Sequence, residues 1–259
     1  MAPDRRAATA ALAVLAAAAS GALAGCAAAV RPEDPVPMDR LQFWGDCSTL
    51  ADTLLVLLPG VHMKPHELQE QGFAAALRLR GLACDLVIVD SHLGHVVDRS
   101  VLRRLRNEVV QPARAQGYRR VWLAGISLGG FLALGYAARH PGEVDGLFTI
   151  APYVGRRTLL QDIAAAGSAA AWSAAARPRE GDDLEHDLWT WLARPAAARP
   201  PVWLGYGSED RLAEGHRLLA RELPPVQVSV VPGGHDWPPW RRLWGEWLDR
   251  GLLPARCPA

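Results

Sequence analysis

The chain has 259 residues, of which 50% are hydrophobic and 21% charged, with 24 glycines and 20 prolines. That is the make-up of one ordinary globular domain and excludes a disordered, collagenous or coiled-coil chain. Lysine and arginine total 28 against 27 acidic residues, so there is no basic surplus of the kind that nucleic-acid binding draws on, and no nucleic-acid partner is expected.

Arg5 and Arg6 form a short basic region, Ala7 to Ser20 is an uncharged Ala/Leu/Val stretch, and the run closes on Leu23-Ala24-Gly25-Cys26. Residues 1–25 therefore read as a signal peptide. Leu23 to Cys26 resembles the lipobox of bacterial lipoproteins. The resemblance implies cleavage before Cys26, a lipid on its thiol, and attachment to a membrane of the bacterial cell envelope, facing the periplasm. Ala27 is not the Asp that resembles an inner-membrane retention signal, which favours the outer membrane. Without residues 1–25 the remainder carries no net charge, so the acyl chains alone would hold it. Residues 26–38, with Pro32, Pro35 and Pro37, read as an extended tether, and residues 39–259 as the folded domain.

The remaining cysteines, Cys47, Cys84 and Cys257, show no CxxC and no Cys/His pair at metal-ligand spacing, which argues against structural zinc. An oxidising compartment permits at most one disulfide among the three, and the sequence does not choose the pair.

From Thr53 onward, apolar runs alternate with helical patterns, the signal of βαβ units around a parallel sheet buried on both faces. Strands are predicted at Thr53–Leu58, Cys84–Asp90, Arg120–Gly125, Gly146–Ala151, Val202–Tyr206 and Val226–Val231. Helices are predicted at His66–Arg80, Arg99–Gln116, Leu128–Arg139, Ala213–Glu222 and Pro238–Arg250. One interval breaks the rhythm. Residues 152–200 hold two further helical stretches, Arg157–Ala166 and Asp183–Ala193, and read as a small helical lid. Trp172, Trp189 and Trp191 lie there and could line an apolar pocket, yet Leu184, Leu188, Trp189 and Leu192 recur at the spacing of a helix packed on the core.

The most informative segment is Gly125-Ile126-Ser127-Leu128-Gly129, set between an apolar strand and an apolar helix. A sharp strand-to-helix turn of this kind lifts a serine hydroxyl to the top of the sheet, and glycines on either side let the backbones pass without a Cβ collision. A serine needs a base, and the order expected for this arrangement is Ser, then Asp or Glu, then His. Four histidines follow Ser127: His140 directly behind the helix that the serine opens, then His186, His216 and His235. His235 lies in Pro232-Gly233-Gly234-His235-Asp236-Trp237, just beyond the last strand, where catalytic groups of open α/β sheets gather.

The loop Gly205-Tyr206-Gly207-Ser208-Glu209-Asp210 supplies the acid, with Asp210 favoured over Glu209. Asp236 reads as a cap of the final helix, and Asp90 follows an earlier strand and is a weaker candidate. The oxyanion hole takes one N–H from Leu128 and a second from the turn after Leu58-Pro59-Gly60, with Val61 the first choice and His62 the second.

On these segments the chain resembles the α/β-hydrolase superfamily over about residues 50 to 250. Leu58–Gly60 resembles its oxyanion loop, Gly125–Gly129 its nucleophile elbow, Gly205–Asp210 its acid loop and Gly234-His235 its histidine loop. Gly233 to Trp237 is also similar to the histidine segment of esterase D-like esterases. The resemblance implies a mainly parallel sheet flanked by helices, in which the N-terminal antiparallel strands are short or missing here.

The function expected is that of a serine hydrolase cleaving a small-molecule carboxylic ester through an acyl-enzyme. Amide, thioester or lipid hydrolysis on the same residues, or a non-catalytic envelope lipoprotein on a hydrolase scaffold, are the alternatives. His92 and His95 lack an evident third ligand and read as a solvated loop. No Gly-rich phosphate loop or dinucleotide fingerprint occurs, so no cofactor and no metal are expected.

Overall fold

The computed structural model describes residues 37–48, 50–91, 93–97, 99–175 and 181–257. The signal segment, the cysteine at position 26 and most of the tether lie outside the described residues, as does His92.

Seven strands form one sheet in the order β1-β3-β2-β4-β5-β6-β7. They are β1 Arg40–Phe43, β2 Thr53–Leu58, β3 Asp85–Val89, β4 Arg120–Ile126, β5 Gly146–Ile150, β6 Val202–Gly207 and β7 Val228–Val231. All neighbours run parallel except β1, which pairs antiparallel with β3 from Arg40 opposite Val89 to Phe43 opposite Leu86. Helices α1 Pro65–Glu70, α2 Phe73–Arg78, α3 Leu93–Val97, α4 Val101–Arg104, α5 Gln111–Gln116 and α6 Leu128–Arg139 precede β5. Then come α7 Arg157–Ala166, α8 Ala169–Ala175, α9 Leu184–Leu192, α10 Ala213–Arg221 and α11 Trp237–Leu248.

Strand alternation sorts the apolar runs into two cores. Leu54, Val56 and Leu58 of β2 face one side with α6, α9 and α10, while Leu55 and Leu57 face the other with α1, α2 and α11. Because both faces are covered, the central strands are almost wholly apolar, and the buried Thr149 within β5 donates its hydroxyl to the Trp203 carbonyl at 3.2 Å. The run at Trp189 and Trp191 is core: both are buried, and the Trp189 indole N–H donates to the Val154 carbonyl at 2.7 Å. Trp172 stands partly buried against the same core, 5.0 Å from the His186 ring.

Several predicted elements differ in detail. The helix expected over His66–Arg80 breaks at Gly72, whose φ of 85° is left-handed and starts α2 in a new direction. The helix expected over Arg99–Gln116 carries a π turn at Leu105–Val110. Pro112 explains it: with no N–H to bond the Glu108 carbonyl, that oxygen is left to accept from Arg40 Nη1 of β1 at 2.8 Å. The last strand begins at Val228, because Pro225–Gln227 winds into a 3-10 turn. His95 is buried on α3 rather than solvated in a loop.

The disulfide joins Cys47 to Cys257, with Cα atoms 5.5 Å apart. Cys84 is a buried free thiol; burial and the adjacent Asp85 carboxylate push its pKa up to about 12, so it stays protonated and inert. Among the described residues no helix is long and apolar enough to cross a membrane.

Candidate active site

The Ser127 turn is pinned from both sides. Its N–H donates to the Ile150 carbonyl at 2.9 Å, and its own carbonyl accepts from the Phe131 and Tyr153 N–H groups at 3.1 and 3.0 Å. The backbone that results has φ 52° and ψ −113°, a region that costs a non-glycine residue energy and persists only where its surroundings over-determine it. The flanking glycines are required by contact. A Cβ on Gly125 would lie 2.2 Å from the Gly129 carbonyl oxygen, and one on Gly129 would lie 2.0 Å from that of Leu58.

Three side chains from three loops at the carboxyl edge of the sheet meet in series. His235 Nε2 lies 3.0 Å from Ser127 Oγ, and His235 Nδ1 lies 2.8 Å from Asp210 Oδ2. A carboxylate can only accept, so the proton belongs on Nδ1 and leaves Nε2 free to take the serine proton. The Asp210 side chain is fully buried, and burial works to raise its pKa. Hydrogen bonds from His235 and from the Leu212 N–H, the latter 2.7 Å from Oδ1, outweigh that and hold the carboxyl below its ordinary range.

The acid and histidine loops are stitched together. Ser208 N–H donates to the Val231 carbonyl at 2.8 Å and Glu209 N–H to that of Gly233 at 3.0 Å, where a Cβ on Gly207 would lie 2.2 Å from the same Gly233 oxygen. The His235 ring stands edge-on to Trp240 of α11, with centroids 5.1 Å apart.

The other candidates fall elsewhere. Glu209 is exposed, and Asp90 pairs with Lys64 Nζ at 3.0 Å. Asp236 occupies the N-cap position of α11 but its side chain caps nothing, because Pro238 and Pro239 remove the N–H groups that a cap would satisfy. The N–H groups of Leu128 and Val61 have no acceptor among the described residues. The Leu58–Gly60 segment that leads to Val61 crosses directly over the start of α6. His62, its neighbour, is exposed with φ 63°. Among the described residues no group of three or more His, Cys, Asp or Glu is placed to hold a metal ion.

His216 is the residue that sequence reasoning passed over. It is buried on α10, its Nε2 lies 2.9 Å from the Pro152 carbonyl, and its ring packs 4.9 Å from Tyr206. The signal was its place on the apolar face with Ala213 and Leu219. Burial lowers its pKa to about 4, only partly opposed by the charge of Asp210, so the native protein holds it neutral. Since the unfolded chain takes up this proton near pH 6.5 and the native state only near 4, stability present above pH 6.5 is lost as pH falls through that window. The expected loss is about 3 kcal/mol. Urea unfolding of wild type and His216→Gln at pH 7 and at pH 4.5 reads it: the variant should fall less with pH, and parallel declines would refute the assignment.

Residues 97–244 match the model of a family described as "Putative esterase". No curated protein matches the chain. Among solved structures, the chain is similar to Est1E from Butyrivibrio proteoclasticus, at 14% identity and a TM-score of 0.58 over 83% of this chain and 93% of that one. It is also similar to an S-formylglutathione hydrolase from Staphylococcus aureus, at 15% identity and a TM-score of 0.54 over 77% and 80%. The esterase domain of a Rhodothermus marinus protein matches at 15% and 0.54 over 83% and 98%. At these identities the likeness is one of fold, and the fold is that of the α/β hydrolases.

Proposed function

The chain belongs to the Esterase family, and from that membership we propose that it is a serine hydrolase that cleaves a small-molecule carboxylic ester through an acyl-enzyme. The observation that carries the reading is the unbroken series Ser127 Oγ, His235, Asp210, at 3.0 and 2.8 Å. In this reading His235 Nε2 takes the Ser127 proton as Oγ bonds to the ester carbonyl carbon. The negative charge that forms on the carbonyl oxygen is met by the N–H groups of Leu128 and Val61. Imidazolium, steadied by the Asp210 carboxylate, then gives its proton to the departing alcohol oxygen. Water repeats the sequence on the acyl-enzyme, releasing the acid and restoring the serine.

The test is labelling of the purified protein by a fluorophosphonate probe, together with turnover of a panel of acyl esters of graded chain length. A folded protein that neither labels nor turns over any ester would overturn the reading.

We further propose that the protein is a lipoprotein of the bacterial envelope, held by a lipid on Cys26 and facing the periplasm. Leu23-Ala24-Gly25-Cys26 supports this, as does the Cys47–Cys257 disulfide, since such bonds persist in oxidising compartments. Cys26→Ser should abolish lipidation and move the protein from the membrane fraction to a soluble or unprocessed form. Mass spectrometry of the mature N-terminus decides it, and an unmodified Cys26 would refute the anchor.

A further inference from the structure

Little packs over the turn that carries Val61. Val61 and His62 are both exposed, and the φ of 63° at His62 is the left-handed value that the third place of a type II turn requires. A non-glycine residue keeps such a backbone only where its surroundings impose it. On the inner side the turn rests on the serine loop, since a Cβ on Gly60 would stand 3.5 Å from the carbonyl oxygen of Ile126, the residue ahead of Ser127.

Met63 closes this turn twice. Its N–H donates to the Gly60 carbonyl at 3.2 Å, and its thioether Sδ accepts the Gly60 N–H at 3.3 Å. Gly60 is buried, and among the described residues no other acceptor reaches that N–H. The base from which the side chain reaches back is itself fixed. Pro65 opens α1, the Lys64 N–H donates to Glu67 Oε1 at 2.8 Å, and Met63 packs on the core shared by α1, α2 and α11. Sulfur is a weak acceptor, but an unbranched thioether can fold back across the turn and still bury its carbons.

We propose that Met63 is a positioning residue for the oxyanion hole, its sulfur holding the Gly60 N–H so that the turn presents the Val61 N–H to the carbonyl oxygen of the substrate. The inference rests on the serine-hydrolase reading above. The two peptide planes that carry these N–H groups meet at the Gly60 Cα, and glycine is the residue freest to rotate there. With the sulfur gone, the Gly60 N–H has no partner and the Val61 plane loses its stop. The charge that Val61 meets develops only in the transition state, so the loss should fall on kcat rather than KM.

The experiment measures kcat and KM on 4-nitrophenyl butyrate for the full chain, Met63→Leu and Met63→Gln, with circular dichroism and unfolding curves to establish folding. Leucine is of similar size and accepts nothing, so kcat should fall roughly tenfold with KM little changed, less than the 10²–10³-fold cost of deleting an oxyanion donor outright. Glutamine carries a carbonyl oxygen at similar reach, and Met63→Gln should recover much of the lost kcat. A methionine that only packs would give the reverse order, with leucine equal to the wild type and glutamine the poorer for putting a polar group against the core. If Met63→Gln fails to fold, Met63→Leu decides alone.

A wild-type kcat in Met63→Leu, a loss confined to KM, or a folded Met63→Gln no faster than Met63→Leu overturns the inference and leaves the esterase reading standing. A wild-type protein that fluorophosphonate does not label and that turns over no ester overturns the esterase reading, and this inference with it.

Discussion

Ser127→Ala is expected to abolish ester turnover and fluorophosphonate labelling together, with a loss on the order of 10⁴-fold or more, in a protein that folds as the wild type does. The two halves of that expectation have separate physical grounds. Turnover is lost because alanine offers no atom to bond the acyl carbon, so the imidazole has nothing to deprotonate. The fold survives because the hydroxyl does little else. Ser127 precedes α6 without capping it through its side chain, and the φ of 52° burdens alanine and serine alike. The one side-chain contact given up is the 3.0 Å bond to His235 Nε2. Circular dichroism and an unfolding curve establish the fold, and one activated ester measures the rate. Wild-type hydrolysis in a folded Ser127→Ala protein would remove the entire catalytic reading.

Asp210→Asn comes next in size, at about 10⁴-fold in turnover. An asparagine at this place keeps the shape and can still accept the Leu212 N–H, so the loop has no reason to move. What changes is the face toward His235. An amide N–H directed at Nδ1 favours the tautomer with its proton on Nε2, which can no longer accept from Ser127, and an amide cannot stabilise imidazolium. Part of the loss should return at high pH, where hydroxide assists the serine. Glu209→Gln and Asp236→Asn serve as controls. Glu209 is exposed and Asp236 caps nothing, so both should remain close to wild type in turnover. A near-normal Asp210→Asn beside a crippled Glu209→Gln would transfer the acid role to the neighbouring carboxylate while leaving Ser127 and His235 in place.

The central sheet was legible because parallel strands buried on both faces are written as unbroken apolar runs, of which TLLVLL at Thr53–Leu58 is the plainest. The meeting of Ser127, His235 and Asp210 was legible for a related reason. Each ends or follows such a run, in a glycine-bearing turn: a Cβ on Gly125, Gly129 or Gly207 would strike backbone, and Gly233 ahead of His235 takes a φ of 123°. β1 was not, since RLQF is only four residues long and half exposed, and nothing local distinguishes it from a loop.

Pairing of Cys47 with Cys257 depends on where the two ends of the domain come together, and no short-range pattern carries that. Asp236 misled because the cap signal was read without the two prolines behind it. The π turn was hidden for the converse reason: Pro112 was in view, but its consequence depends on Arg40, far away in the chain, arriving to take the Glu108 carbonyl. The buried His216 shows a third limit, for a polar residue on an apolar helical face announces burial without naming its acceptor.

The Cys47–Cys257 bond closes a ring that contains β2 through β7 and all eleven described helices, leaving β1 as the one described element outside it. Under tension the protein is therefore not a simple thread. A pull on the chain ahead of Cys47 can unzip β1 from β3 and then meets a covalent stop, after which the load passes straight to Cys257 and bypasses the sheet. A processive unfolding machine drawing the chain in from that side would reach a doubled strand instead of a free one, and would stall until a reductant opened the ring. Resistance to mechanical extraction thus depends on the redox state of one bond as well as on how well the core is packed.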